Sequence, residues 1–221
     1  MKSLVVLGTL LCSVAHAHFQ VVLPSTDSVS DPKHAQISFT ISFTHPMDQG
    51  PMMNMPAPKE FGVLVDGTRT SLTDTLKPVL VGDKTTYGAA YTLTRPGAHI
   101  FYLEPSPYYD STEKALIQHY TKVIVDAFGA WSGWNELVGF PVEIKPLTRP
   151  YGLWAGNVFQ GVILHDGKPV PNAALEIEYY NENKRITPPT ATHTTQIITA
   201  DANGVFTYAM PWDGIGGDSR R

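Results

Sequence analysis

The sequence predicts an all-β protein: an antiparallel β-sandwich followed by a smaller, transthyretin-like β-sandwich. Of the 221 residues, 43% are hydrophobic and 16% are charged, so the chain can bury a core and does not have the composition of a disordered protein. Eighteen Pro and eighteen Gly supply frequent turns between short runs rich in β-branched and aromatic residues. The formal net charge of −4 argues against nucleic acid or an anionic membrane as a partner.

Residues 1–17 have the three zones of a secretory signal peptide. Met1-Lys2 is the positively charged start, residues 4–14 are apolar but too short to span a bilayer, and Ala15-His16-Ala17 fits the small-x-small cleavage pattern. We therefore expect cleavage after Ala17 and export of a protein without an intrinsic membrane span. The single cysteine lies inside this segment, so the mature chain has neither a thiolate ligand nor a disulfide.

Residues 18–147 are predicted to form the first sandwich. The clearest strand is 35–45, because apolar and polar residues alternate along it from Ile37 to Phe43 and give it one buried and one solvated face. One short helix is predicted at 111–118, with Ser111 as its cap. Turns containing Gly, Pro and Asp separate the further predicted strands, which are 18–23, 60–65, 86–94, 98–104, 119–126 and 140–145.

A linker at 148–155 is predicted to lead into the second sandwich, residues 156–221, because the prolines of this region stiffen the chain and block strand pairing. The pattern G-x-V…DGKPVPNA…T-x-D-A-N-G-x-F resembles the carboxypeptidase-regulatory, transthyretin-like sandwich. Residues 212–221 are Gly-rich and charged, so we expect the closing strand of this sandwich to be missing. The predicted strands are 156–164, 175–180, 194–199 and 205–210.

His18 becomes the N-terminal residue once the signal peptide is removed. Its α-amine and its imidazole can then chelate one metal ion together, since the amine, with an ordinary pKa of about 7.7–8.0, can lose its proton near neutral pH. Imidazole and amine ligands suit Ni, Co, Cu and Zn, and open competition favours Cu. The alternative is that His18 serves only signal processing.

The segment 45–58, HPMDQGPMMNMPAP, supplies a second set of candidate metal ligands. Methionine usually fills gaps in a core, but here it lies among Pro, Gly, Asn and Gln, which are loop residues. Thioethers prefer Cu(I), whereas imidazole and carboxylate accept harder ions such as Ni(II). The alternative is an apolar loop that caps the open end of the sandwich. The candidates are His45, Met47, Asp48, Met52, Met53 and Met55.

Two further histidines lie on inward faces of predicted strands. His99 shares a face with Phe101, and His119 shares one with Val123. Each position suits either a hydrogen-bonded core histidine or a metal ligand. The sequence contains no G-x-S-x-G, H-E-x-x-H, P-loop or dinucleotide-binding motif, and we therefore predict that the protein is not an enzyme.

Four blocks of the sequence together resemble one exported protein family, a periplasmic component of nickel or cobalt uptake known as the nickel-uptake substrate-specific family. The resemblance spans nearly the whole mature chain, to about Met210. The blocks are HAHF at 16–19, H-P-M…M…P-x-x-F-G-V at 45–63, HYTKVIV at 119–125, and FPVEIKPLTRPYGLWAGNVFQGV at 140–162.

This resemblance implies a periplasmic accessory protein that binds Ni(II) or Co(II) as cargo and supplies it to an energy-coupling-factor type transporter in the inner membrane. Ligand chemistry alone fits copper equally well, so a copper-handling protein with an N-terminal histidine chelate is one alternative. A structural or interaction module without metal, using its Trp and Tyr loops as the partner surface, is another. These hypotheses differ in whether His18, His45 and the methionines converge in space.

Overall fold

The computed structural model describes residues 18–110 and 114–210 and confirms the predicted all-β fold. Helical structure in this part of the chain is limited to α1 (Ala191–Thr194) and three single turns of 3₁₀ helix, Pro32–His34, Thr73–Thr75 and Glu182–Lys184. None of its helices has the length and apolarity needed to cross a membrane. The strands are β1 Phe19–Pro24, β2 Ser28–Val29, β3 Gln36–Thr44, β4 Glu60–Val65, β5 Thr68–Ser71, β6 Lys77–Val81, β7 Lys84–Thr92, β8 Gly97–Glu104, β9 Tyr108–Asp110, β10 Ala115–Ile117, β11 Thr121–Ala127, β12 Val142–Pro146, β13 Val158–His165, β14 Lys168–Pro169, β15 Ala174–Ile177, β16 Gln196–Thr199 and β17 Val205–Ala209.

Two facing sheets form the first sandwich. One has the strand order β1-β3-β7-β6 and the other β2-β11-β8-β4-β5, with antiparallel pairing except between β2 and β11. The alternation in β3 works as the sequence predicts, because Ile37, Phe39 and Ile41 all point into the core between the sheets. From the opposite sheet, Phe61 and Phe101 complete this core, and Phe39 packs against both rings.

Strand β8 is buried on both of its faces. Its odd-numbered residues face the core between the sheets, while Ile100 and Tyr102 face a second apolar layer supplied by the segment after β11, which includes Val138 and Phe140. This explains why the run GAHIFYL is continuously buried although it lies in an antiparallel sheet.

The buried carboxylate of Glu143 holds that covering segment in place. One of its oxygens accepts hydrogen bonds from the backbone N–H of Val138 (2.8 Å) and from Lys122 Nζ (2.6 Å). The other accepts from the backbone N–H groups of Gly139 (2.9 Å) and Phe140 (3.3 Å). A buried carboxylate is stable only when its lone pairs are satisfied in this way.

The second part of the chain, residues 142–210, contains two smaller sheets. β13 pairs with β12, β14 and β17, and β15 pairs with β16. Their core is Ile163, Leu175, Ala200 and Phe206. The predicted linker at 148–155 joins two paired strands, β12 and β13, and the domain division there stays a prediction. The expectation that the closing strand is missing concerns residues that lie outside the described part of the chain.

The helix predicted at 111–118 is wrong over the residues that the structure describes. Ala115–Ile117 form β10, which pairs with β9 so that Leu116 lies opposite Tyr109. The helix-forming composition of this short run is overridden, because strand pairing supplies hydrogen bonds that an isolated helical turn could not keep in water. Residues 111–113 lie outside the described residues.

His99 is a core residue and lies apart from the other candidate ligands. It is fully buried between Tyr91 and Phe101, with Nδ1 at 3.1 Å from the carbonyl oxygen of Gly97. It pairs with Val125, which comes six residues after His119 in the chain. His99 and His119 are therefore separated by about 20 Å along the strand direction. Its Nε2 has no hydrogen-bond partner among the described residues.

The burial of His99 makes the folded state less stable at low pH. Desolvation lowers its pKa, and the positive charge of Arg95 acts in the same direction, against the Gly97 carbonyl and the carboxylates of Asp66 and Asp126. The unfolded chain, in which a histidine titrates near 6.5, therefore binds this proton first. The contribution of His99 to stability is present above about pH 6.5 and is lost as the pH falls below that value.

We expect His99→Leu to flatten the acid side of the stability profile. One proton that binds the unfolded state and not the folded state changes the free energy of unfolding by up to about 1.4 kcal/mol per pH unit. Urea titrations between pH 5 and 8 should show a smaller loss in the variant than in the parent protein, and His165→Gln, at the exposed end of β13, should keep the parent slope. Equal slopes in all three proteins would contradict this role for His99.

We expect Glu143→Gln to lower the free energy of unfolding by about 2–4 kcal/mol, because one amide oxygen cannot replace four accepted hydrogen bonds and Lys122 would remain buried without its counter-charge. Urea unfolding measures the change. The matched control is Glu104→Gln, which breaks the more exposed pair with Lys59 and should change stability by less than about 1 kcal/mol. Similar losses in the two variants would show that Glu143 has no special role.

Candidate metal centre

Strand pairing brings His18 and His45 together. β1 runs antiparallel to β3 with Phe19 opposite Thr44, so the residue that precedes β1 lies beside the residue that follows β3. The two imidazole rings are 4.4 Å apart between their centres, at 44° to one another. Since metal–nitrogen bonds are about 2.0–2.1 Å long, two imidazoles on one ion have ring centres roughly 4.5–6.5 Å apart. The observed spacing is therefore close to that of a shared ion.

The opposite sheet brings His119 to the same end of the sandwich. Thr121 Oγ1 at the start of β11 donates a hydrogen bond to the carbonyl oxygen of Gln20 in β1 (3.2 Å), and each histidine lies two residues before its partner in this bond. The ring of Phe43 lies between them, with centre distances of 5.6 Å to His18 and 5.5 Å to His119. The predicted ligands His18, His45 and His119 thus form one group, named here the histidine cluster.

His119 is held in a form that can bind metal. Its ring stacks on Tyr108 at 5.8 Å and 10°, and its Nε2 is 3.3 Å from the Tyr108 hydroxyl oxygen. Burial lowers the pKa of His119, and the nearby His18 lowers it further. Both effects favour the neutral imidazole, which is the form that has a nitrogen lone pair for a metal ion.

Glu178 brings a carboxylate to the cluster from the second part of the chain. Its side chain is only 1% exposed, and its Oε1 lies 4.0 Å from His45 Nδ1. Its Oε2 accepts a hydrogen bond from the backbone N–H of Met47 (3.2 Å), and its Oε1 accepts one from Thr195 Oγ1 (2.5 Å). Sequence reasoning missed Glu178, because alternation in the strand 175–180 places it on a face that should meet water.

The loop that follows His45 is fixed from both sides. The backbone N–H of Asn181 donates to the carbonyl oxygen of Pro46 (3.2 Å), and Asn181 Nδ2 donates to that of Met47 (3.0 Å). On the other side, the backbone N–H of Met53 donates to the carbonyl oxygen of Phe43 (2.9 Å). These bonds attach the loop to the first sandwich on one side and to the second part of the chain on the other.

The remaining predicted ligands of this loop occupy different environments. Met47 and Met55 are buried, and Met55 Sδ accepts a hydrogen bond from Gln20 Nε2 (3.6 Å). Met52 and Met53 are half-buried, and Asp48 is exposed. The two buried methionines therefore also fit the packing role that methionine commonly has.

The preassembled part of the site is the His18–His45 pair, with His119 and Glu178 next to it. Across residues 18–110 and 114–210, no three His, Cys, Asp or Glu side chains already stand at the spacing of a metal site. Cleavage before His18 would add an α-amine to these side chains. The donor set that can be assembled here, imidazoles with an amine and one carboxylate, fits Ni(II), Co(II), Cu(II) and Zn(II).

Comparison with known sequences places the chain in a family whose function is not defined. No curated protein matches it. Residues 15–215, which include the histidine cluster and Glu178, match the family described as Domain of unknown function (DUF4198). The chain belongs to this DUF4198 family.

Proposed function

We propose that this protein is an exported, non-enzymatic accessory protein that binds a transition-metal ion at the histidine cluster. The observation that carries the proposal is the placement of His18 and His45 with their rings 4.4 Å apart, beside a third imidazole whose pKa is lowered. Histidine is the commonest metal ligand in proteins, and imidazole suits late first-row metals.

Cleavage after Ala17 completes the site in this proposal. It would leave the α-amine of His18 two bonds from the carbon that carries the imidazole, so one residue supplies two ligands with little loss of conformational freedom. His45 follows directly from a paired strand, which holds its backbone rigidly. The carboxylate of Glu178, whose Oε1 lies 4.0 Å from His45 Nδ1, then balances part of the charge of the bound ion.

Nickel or cobalt is the proposed cargo, and an energy-coupling-factor type transporter in the inner membrane is the proposed recipient. The resemblance of the 45–63, 119–125 and 140–162 blocks to a periplasmic component of nickel or cobalt uptake supports this choice. The thioethers of the loop after His45 support the copper alternative, because thioethers are ligands of Cu(I). In either case the protein would act as a carrier that hands over an ion.

Exposed aromatic and apolar side chains support the rival proposal of an interaction module. Trp131 is 66% exposed and Trp154 is 64% exposed. Residues of this kind dominate many protein–protein contacts. A carrier also needs such a surface to meet its transporter, so these residues favour a partner protein without deciding between the two proposals.

The direct test is metal binding by protein that the cell itself has exported and cleaved. Mass spectrometry under native conditions should show a mass that begins at His18 and one bound Ni, Co or Cu ion per chain. Isothermal titration calorimetry should then give saturable binding at neutral pH with a stoichiometry of one. Correctly cleaved protein that binds none of these ions would refute the proposed function.

We expect the affinity losses among variants to follow the rigidity of each ligand. Adding one Ala before His18 should weaken binding the most, by about 100-fold or more, because it removes the amine chelate. His45→Ala should rank second. Each single Met→Ala change at positions 47, 52, 53 and 55 should have a smaller effect, since a thioether held on a loop is more costly to order. Calorimetry on the same metal ion measures all of these.

The matched control for this series is His99→Leu, which removes an imidazole about 20 Å from the cluster and should leave metal affinity unchanged. An Ala-extended protein that binds as tightly as the native one would show that His18 is not a ligand. A loss in His99→Leu as large as in His45→Ala would show that the affinity changes report only general destabilisation.

A further inference from the structure

A large cleft lies between the first sandwich and the second part of the chain. Its volume is about 1210 Å³. One wall is the outer face of the β1–β3 pair, from which Phe19, Leu23 and Thr40 project away from the sandwich core. The other wall is formed around β15 and β17, including Leu175 and Phe206. The cleft is thus as large as the cavities that hold drug-sized ligands, and it exceeds the needs of a bare ion.

The charged groups of this cleft are predominantly acidic. Three glutamates line it, Glu176, Glu178 and Glu182, and the only basic side chain among its described lining residues is His193. No lysine or arginine is part of that lining. A concave site with one sign of charge raises the local concentration of ligands of the opposite sign and repels those of its own sign. The occupant that fits is therefore a cation.

The remaining surface of the cleft is mainly apolar and partly aromatic. Phe159, Tyr179, Tyr180 and Tyr208 contribute to its walls together with Phe206. Aromatic rings attract cations through their faces and bury apolar groups through their bodies. A fully hydrated metal ion would use neither property. The lining therefore fits a cation that has an organic surface.

The cleft and the histidine cluster share residues. Met47 and Glu178 line the cleft, and Glu178 Oε1 is also 4.0 Å from His45 Nδ1. Glu178 is thus common to the lining of the cleft and to the surroundings of His45. A cation bound in the cleft against Glu178 would lie next to the imidazoles.

We propose that the cleft binds a metal ion as a cationic complex with an organic nitrogen-donor ligand and presents that ion to the histidine cluster. This inference rests on the proposed function, since the cluster is the destination of the metal. The organic part lies against the aromatic walls, and the positive charge lies against Glu176, Glu178 and Glu182. Transfer of the metal exchanges nitrogen ligands of the complex for imidazole and amine nitrogens, with no change in oxidation state.

The test uses cobalt(III) complexes that do not exchange their ligands, because they can occupy the cleft but cannot coordinate the histidines. Isothermal titration calorimetry on the cleaved protein, in about 150 mM salt to screen weak surface attraction, should show binding of the tris(ethylenediamine) cation. The tris(2,2′-bipyridine) cation, which has an aromatic surface, should bind more tightly. The tris(oxalate) anion has similar size and opposite charge, and it should not bind.

Variants separate the cleft from the cluster. Glu176→Gln combined with Glu182→Gln should weaken binding of the inert cations about tenfold and leave Ni(II) binding unchanged, whereas His45→Ala should have the reverse pattern. Inert cations that bind no better than the anion, or that are insensitive to the glutamate changes, would overturn the inference and leave the proposed function intact. Inert cations that bind to a protein unable to bind Ni(II) would overturn the delivery step together with the proposed function.

Discussion

The antiparallel pairing of β1 with β3 is the constraint on which the histidine cluster depends. The register places Phe19 opposite Thr44, and this alone puts His18 next to His45. A slip of one residue would turn the side chains of β1 to the opposite face and expose Val22, which is part of the core. The burial of one apolar face therefore fixes the relative position of the two histidines. His18 precedes β1 directly, and the pairing of that strand holds it in place.

A buried carboxylate provides the second constraint. Glu178 is almost fully withdrawn from water, and it is stable there because the Met47 N–H and the Thr195 hydroxyl donate to it and the His45 ring lies beside it. The contacts with Met47 and His45 cross from the second part of the chain to the end of β3 and the loop that follows it. A change in the charge beside His45, such as the arrival of an ion, therefore acts on the contact between the two parts of the chain.

Local periodicity was enough to predict most of the strands. Alternation identified β3, and the Gly, Pro and Asp turns delimited the predicted strands 60–65 and 98–104, which correspond to β4 and β8. It failed where pairing partners decide the structure. β10 has helix-forming residues but pairs with β9, and β6 contains Pro78 and has no buried residue, so it lacks the alternation that marks a half-buried strand. Both depend on hydrogen bonds to a neighbouring strand, which a single-sequence pattern does not contain.

The same distinction explains the candidate site. A two-residue period tells which face of a sheet a side chain occupies, and by that criterion His99 and His119 are equivalent. Their positions along the sandwich differ because β8 and β11 pair with a particular register, which places His99 deep in the core and His119 at the end beside β1. Glu178 is separated from His45 by more than a hundred residues, and its polar alternation indicates solvent. The sequence therefore indicates the type and the face of each candidate residue, whereas the convergence of His18, His45 and Glu178 follows from non-local pairing.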